Sequence, residues 1–68
     1  MAVIKVIELV GESNQSWEDA IKKAVTEASK TVRNISGVEV LNLTCDVEDG
    51  EVTDYKCNVH IAFKVDGT

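Results

Sequence analysis

This chain has a single histidine, and that scarcity removes most enzyme chemistry at once. With no Cys-x-x-Cys and no His-Glu-x-x-His spacing, the sequence carries no metal-ligand signature. It shows no nucleophile with a paired base either, so the expectation is a protein that is not an enzyme. Cysteine is also scarce: two residues allow one bridge at most, which is not a disulfide scaffold. Basic residues are few, seven Lys and Arg against twelve Asp and Glu, and the net charge of −5 argues against a nucleic-acid partner. No apolar run approaches the ~20 residues of a membrane span, which argues against a membrane partner. The opening Met-Ala-Val-Ile-Lys-Val-Ile-Glu-Leu mixes charges into its apolar residues and lacks the layout of a signal peptide. The chain therefore reads as cytoplasmic with reduced thiols, and the Asn-x-Ser/Thr matches at Asn14, Asn34 and Asn42 carry no meaning. Around Gly11 the repeated glycines of a phosphate cradle are missing, leaving a plain strand-helix loop.

What is present is alternation. Along residues 52–65, every second position (Thr53, Tyr55, Cys57, Val59, Ile61, Phe63, Val65) can face an apolar layer. The positions between them, Asp54, Lys56, Asn58, His60 and Lys64, are polar, with Ala62 the exception. Period-two alternation of this length marks a half-buried antiparallel strand and nominates it for the sheet centre. All 68 residues read as one domain. A chain this short buries only about 60% of its unfolded surface, so its core is marginal unless copies associate. The 44% apolar content fits surface reserved for sister subunits.

Residues 3–10 read as a first strand, ended by Gly11. After a polar loop, Ser16 is placed to cap a helix, with Asp19 as the acidic partner of a capping box and Ser13 as the competing cap. Trp17, Ala20, Ile21, Ala24, Val25, Ala28 and Val32 form one helical stripe whose alanines let a sheet approach closely. Glu18 and Asp19 suit the positive end of the helix dipole, and Lys30 and Arg33 the negative end. Glu18 with Lys22 and Asp19 with Lys23 add pairs worth a few tenths of a kcal/mol each.

Residues 37–47 form the next strand, and Glu48-Asp49-Gly50-Glu51 the hairpin turn, with Asp-Gly favouring type I′. A two-residue loop sets Val38 opposite Ile61, Val40 opposite Val59 and Thr44 opposite Tyr55. The other side then holds Gly37, Glu39, Leu41, Leu43 and Cys45 beside Ala62, His60, Asn58, Lys56 and Asp54. The fold class is α+β, in the order β-α-β-β. A wholly antiparallel three-stranded sheet then requires strand order 1-3-2. One helix covers one face, and the other, carrying Leu41, Leu43, Ala62 and Cys45, calls for a neighbouring subunit.

Several residues invite functional readings beside plainer ones. Trp17 reads as a packing residue at a helix-sheet or subunit seam, with a stacking platform as the alternative. His60 and Glu39, neighbours across the strands, read as an ion pair; half a metal site or a proton-linked contact is the sharper alternative. Lys56 reads as a salt-bridged lysine with Asp54 near, or as a ligand contact. Asp46, Glu48, Asp49, Glu51 and Asp54 surround the turn without the ligand spacing of an EF-hand, although symmetry could gather copies around a hard cation. Cys45 and Cys57 are expected on opposite faces as free buried thiols.

The chain resembles the dodecin family. The resemblance lies in Ile4-Lys5 through Val10-Gly11-Glu12-Ser13, in Ser16-Trp17-Glu18-Asp19-Ala20, and in Thr31-Val32-Arg33-Asn34-Ile35. It continues through Val38-Glu39-Val40 and from Tyr55 through Val59-His60-Ile61-Ala62-Phe63-Lys64-Val65. It implies a three-stranded sheet wrapped around one helix, assembled as a hollow homododecamer that stores flavin, riboflavin or FMN, at subunit contacts. By position match it implies ligand contacts at Ser36, Gly37, Asn42 and Lys56. Flavin-binding dodecins hold a tryptophan where this chain has Gly37 and a glutamine where it has Lys56. A missing ring forgoes roughly 0.5–1.5 kcal/mol of aromatic contact. Relatives lacking the tryptophan are associated with calcium, so a flavin-free, calcium-binding dodecamer is the alternative expectation, with Glu39 and His60 as candidate metal residues.

Overall fold

A computed structural model describes residues 2–67. The chain runs through β1 (Ile4–Ser13), α1 (Trp17–Ser29), β2 (Ile35–Glu48) and β3 (Glu51–Lys64). All pairings are antiparallel and the sheet order is β1-β3-β2, as the element order requires. The alternating last strand is the centre. Its Cys57, Val59 and Ile61 are wholly buried, and they meet Ala20, Ala24 and Ala28 of the helix. Ile7, Leu9, Ile21, Val25 and Ile35 close around that core. Small residues on the helix bring its axis close to the sheet. At the closest point the chain admits only glycine: a Cβ on Gly11 would fall onto the Ala20 carbonyl and 3.1 Å from Ala24 Cβ.

Ser16 caps α1, its Oγ accepting from Asp19 N–H at 3.0 Å. The expected capping box does not close. Asp19 turns to Ser13, whose Oγ–H donates to Asp19 Oδ2 at 2.6 Å and accepts from Gln15 N–H at 3.0 Å. Ser13 is buried, and its hydroxyl ties the end of β1 to the first turn of the helix. Both expected helix pairs form, Lys22–Glu18 at 3.1 Å and Lys23–Asp19 at 3.2 Å. The helix stops earlier than its stripe, with Lys30 as C-cap and no basic residue in the last turn, so Arg33 lies beyond the dipole. Val32 is still held in place, by its N–H to Ala28 O at 2.8 Å.

The turn is as expected, Glu48 opposite Glu51 with Asp49 and Gly50 at φ of 51° and 79°. The register between β2 and β3 is not uniform. It shifts at Ile35/Gly37, at Val40/Asn42 and at Asp46/Val47, leaving Ser36, Leu41 and Thr53 without partners across the strands. Val38–Ile61, Val40–Val59, Gly37–Ala62 and Glu39–His60 pair as expected. Past Leu41, however, Thr44 faces Lys56, Cys45 faces Tyr55 and Leu43 faces Cys57. Leu43 and Cys45 therefore belong to the helix side, correcting the outer-face assignment. Both cysteines lie on that side as free thiols, Cys57 buried and Cys45 exposed. Burial pushes the Cys57 thiol pKa up.

Candidate ligand-binding face

The face of β3 turned away from the helix carries Asp54, Lys56, Asn58, His60, Ala62 and Lys64, in antiphase with the buried Cys57, Val59 and Ile61. Pairing brings residues of both edge strands onto the same face. β1 contributes Ile4, Val6, Glu8, Val10 and Glu12, and β2 contributes Gly37, Glu39, Asn42, Thr44 and Asp46. The exposed apolar groups here are Ile4, Val6 and Val10, so the oily part comes from β1. The alternation of Ile4, Val6, Glu8 and Val10 along β1 already carries this signal in the sequence.

Across this face the residues form rows. Val6, Ala62 and Gly37 make an apolar floor, and no heavy atom lies within 4 Å of where a Gly37 Cβ would stand. Next to it, His60 sits between two carboxylates: Nε2 is 3.5 Å from Glu8 Oε1 and Nδ1 is 3.4 Å from Glu39 Oε1. Glu39 follows from the hairpin turn; Glu8 does not, because no turn fixes the register of β1 against β3. In the following row Asn58 Nδ2 donates to Asn42 Oδ1 at 2.6 Å. Then comes Lys56, whose Nζ lies 3.1 Å from Asp46 Oδ2. The partner is Asp46 rather than Asp54, because the Leu41 shift moves Asp46 to within the reach of the lysine. Asp46, with Glu12 and Asp54 behind it, raises the Lys56 pKa.

The structure thus brings Gly37, Asn42 and Lys56 to one face, together with Glu39 and His60. Ser36 stands apart, unpaired at the bulge between Ile35 and Gly37. Trp17 belongs to the opposite side. Its Nε1–H donates to the Thr44 carbonyl at 2.8 Å and its ring meets Tyr55 edge-on, centroids 5.1 Å apart. It is a packing residue. Among the described residues no three His, Cys, Asp or Glu side chains are grouped to hold a metal ion. No helix among those residues is long and apolar enough to cross a membrane.

These features define a small β-α-β-β subunit with one sheet face packed on its helix and the other presenting a largely polar surface. The dodecin family model matches residues 3–66, and the chain belongs to the dodecin family. It is 32% identical over 66 residues to the dodecin of Thermus thermophilus, covering 97% of this chain and 96% of the relative. The calcium dodecin of Mycobacterium tuberculosis is 32% identical over 65 residues, covering 96% and 92%. The structure of dodecin from Streptomyces coelicolor superposes with a TM-score of 0.93 at 30% identity, covering 98% of this chain and 96% of that one.

Proposed function

We propose that this protein is a non-enzymatic binding and storage subunit, assembled as a hollow homododecamer that holds a planar ligand of the flavin type against its outer sheet face. The observation that carries this reading is the placement of Gly37, Asn42 and Lys56 together on a face no helix covers, beside the exposed Val6 and Val10. A flat ring suits a floor of Gly37, Ala62 and Val6, and sister copies burying the apolar rim would wall the site. Lacking an aromatic residue at Gly37, the site binds more weakly than one with a stacking ring.

Adding riboflavin to the purified protein and following flavin fluorescence tests the reading. Strong quenching at a defined stoichiometry supports it; no quenching at micromolar protein removes it. Light scattering tests the assembly, because a monomer would dismantle the walls of the site.

A second reading, a flavin-free dodecamer holding calcium, is favoured by the carboxylates that surround the hairpin: Asp46, Glu48, Asp49, Glu51 and Asp54. Their oxygen donors suit a hard cation, and Glu39 with His60 suits one less well. Since the described residues of one chain gather no set of three, carboxylates from several copies would have to converge. The M. tuberculosis calcium dodecin is a calcium-chelating antigen with a novel calcium-binding site. Metal analysis, with melting in the presence and absence of chelator, decides it.

A further inference from the structure

Charge on the outer face narrows the ligand. Glu8, Glu12, Glu39, Asp46 and Asp54 all lie on it, against Lys56 and Lys64. The cation nearest the middle is already committed, with Lys56 Nζ at 3.1 Å from Asp46 Oδ2 and facing Glu12 and Asp54. His60 is likewise enclosed by Glu8 and Glu39. Among the described residues only Lys64, opposite Ile4 at the far end of the face, is left to meet an incoming phosphate, one charge against five carboxylates.

Neutral recognition is available. Within the Asn42–Asn58 pair, the bond between Asn58 Nδ2 and Asn42 Oδ1 leaves Asn42 Nδ2 as a donor and Asn58 Oδ1 as an acceptor. That donor-acceptor pair suits a heterocycle edge carrying adjacent C=O and N–H groups.

We propose that the outer face selects an uncharged planar heterocycle over its phosphorylated form. The inference rests on the binding reading above and specifies its ligand class. Riboflavin and FMN separate the two claims, because they share a ring and differ by a phosphate carrying nearly two negative charges. Walled by sister copies, the face would concentrate its negative potential, and salt would screen it.

In fluorescence titrations at about 20 mM salt, FMN binds at least about tenfold more weakly than riboflavin; at about 0.5 M salt the gap falls below about threefold. The Glu12→Gln/Asp54→Asn double variant, its melting checked against the parent, narrows the low-salt gap while riboflavin affinity holds. FMN binding as tightly as riboflavin, or more tightly, overturns the selection and leaves the binding reading standing. A gap that ignores both salt and the double variant also overturns it. If neither compound is quenched, the binding reading fails and the selection falls with it.

Discussion

Replacing Gly11 by alanine sets two effects of opposite sign against each other. Gly11 does not have a positive φ, unlike Gly50 and Gly67, so alanine can adopt its backbone conformation. On the unfolded chain alone, Gly→Ala would then stabilise by about 0.4–1 kcal/mol. Packing opposes this. The new Cβ would overlap the Ala20 carbonyl, a backbone atom that cannot swing aside, and meet Ala24 Cβ at 3.1 Å. Relief requires the helix to lift from β1, separating Ala20 and Ala24 from the core they share with Cys57, Val59 and Ile61. Overpacking costs about 1–3 kcal/mol, and a backbone clash belongs at the upper end, so a net loss of about 2 kcal/mol is expected. For a domain of this size each kcal/mol moves the melting midpoint by about 4–8 °C, giving a fall of roughly 8–16 °C. Circular dichroism melts at one fixed protein concentration provide the assay, with Gly37→Ala as control, since nothing lies within 4 Å of its Cβ position. Gly37→Ala should melt at or above the parent. A Gly11→Ala protein that does the same would refute the close-approach argument.

Three further outcomes follow from the same geometry. In a Cys45→Ala variant the remaining thiol, buried and with its pKa pushed up, should react with a thiol reagent at pH 8 only after denaturant is added. Asp19 is held below its ordinary pKa of 3.8, chiefly by the Ser13 hydroxyl and then by Lys23. Its contribution to stability is therefore complete above that ordinary value and lost as pH falls through the lower, folded one. Ser13→Ala should move the Asp19 titration back upward in carboxyl-carbon NMR, while an unchanged midpoint would assign the shift to Lys23 alone. Gly37→Trp should increase riboflavin quenching, and no gain would show that the pocket departs from a stacking site at more than this position.

Much of the fold was legible in local chemistry. The stripe of alanines, the Asp49-Gly50 turn and the alternation through Cys57, Val59 and Ile61 each fix one element, and their order leaves one antiparallel arrangement. The helix start was legible in Ser16, but the partner of Asp19 was not. Ser13 reaches it only because β1 ends against the helix, a tertiary fact. β2 is the least legible element. A single unpaired residue leaves no compositional mark, and the run Leu41-Asn42-Leu43-Thr44 fits either phase of alternation. Only the pairing with β3 reveals that Leu41 is extra and that Leu43 and Cys45 lie on the helix side. The candidate face was half legible for the same reason: Glu39 beside His60 followed from the turn, whereas Glu8 and Asp46 depended on a β1 register and a bulge that no local pattern encodes.

Ser36, Leu41 and Thr53 are each one residue more than the ladder consumes. Excising any of them would leave every remaining rung matched and every side chain on its present side, whereas a deletion between rungs would invert all that follows. Changes in chain length should therefore be tolerated at these three points before any others within the sheet. Two of them bracket residues 37–40, so the backbone bearing Gly37 and Glu39 can lengthen or shorten at either end without disturbing the centre of the sheet.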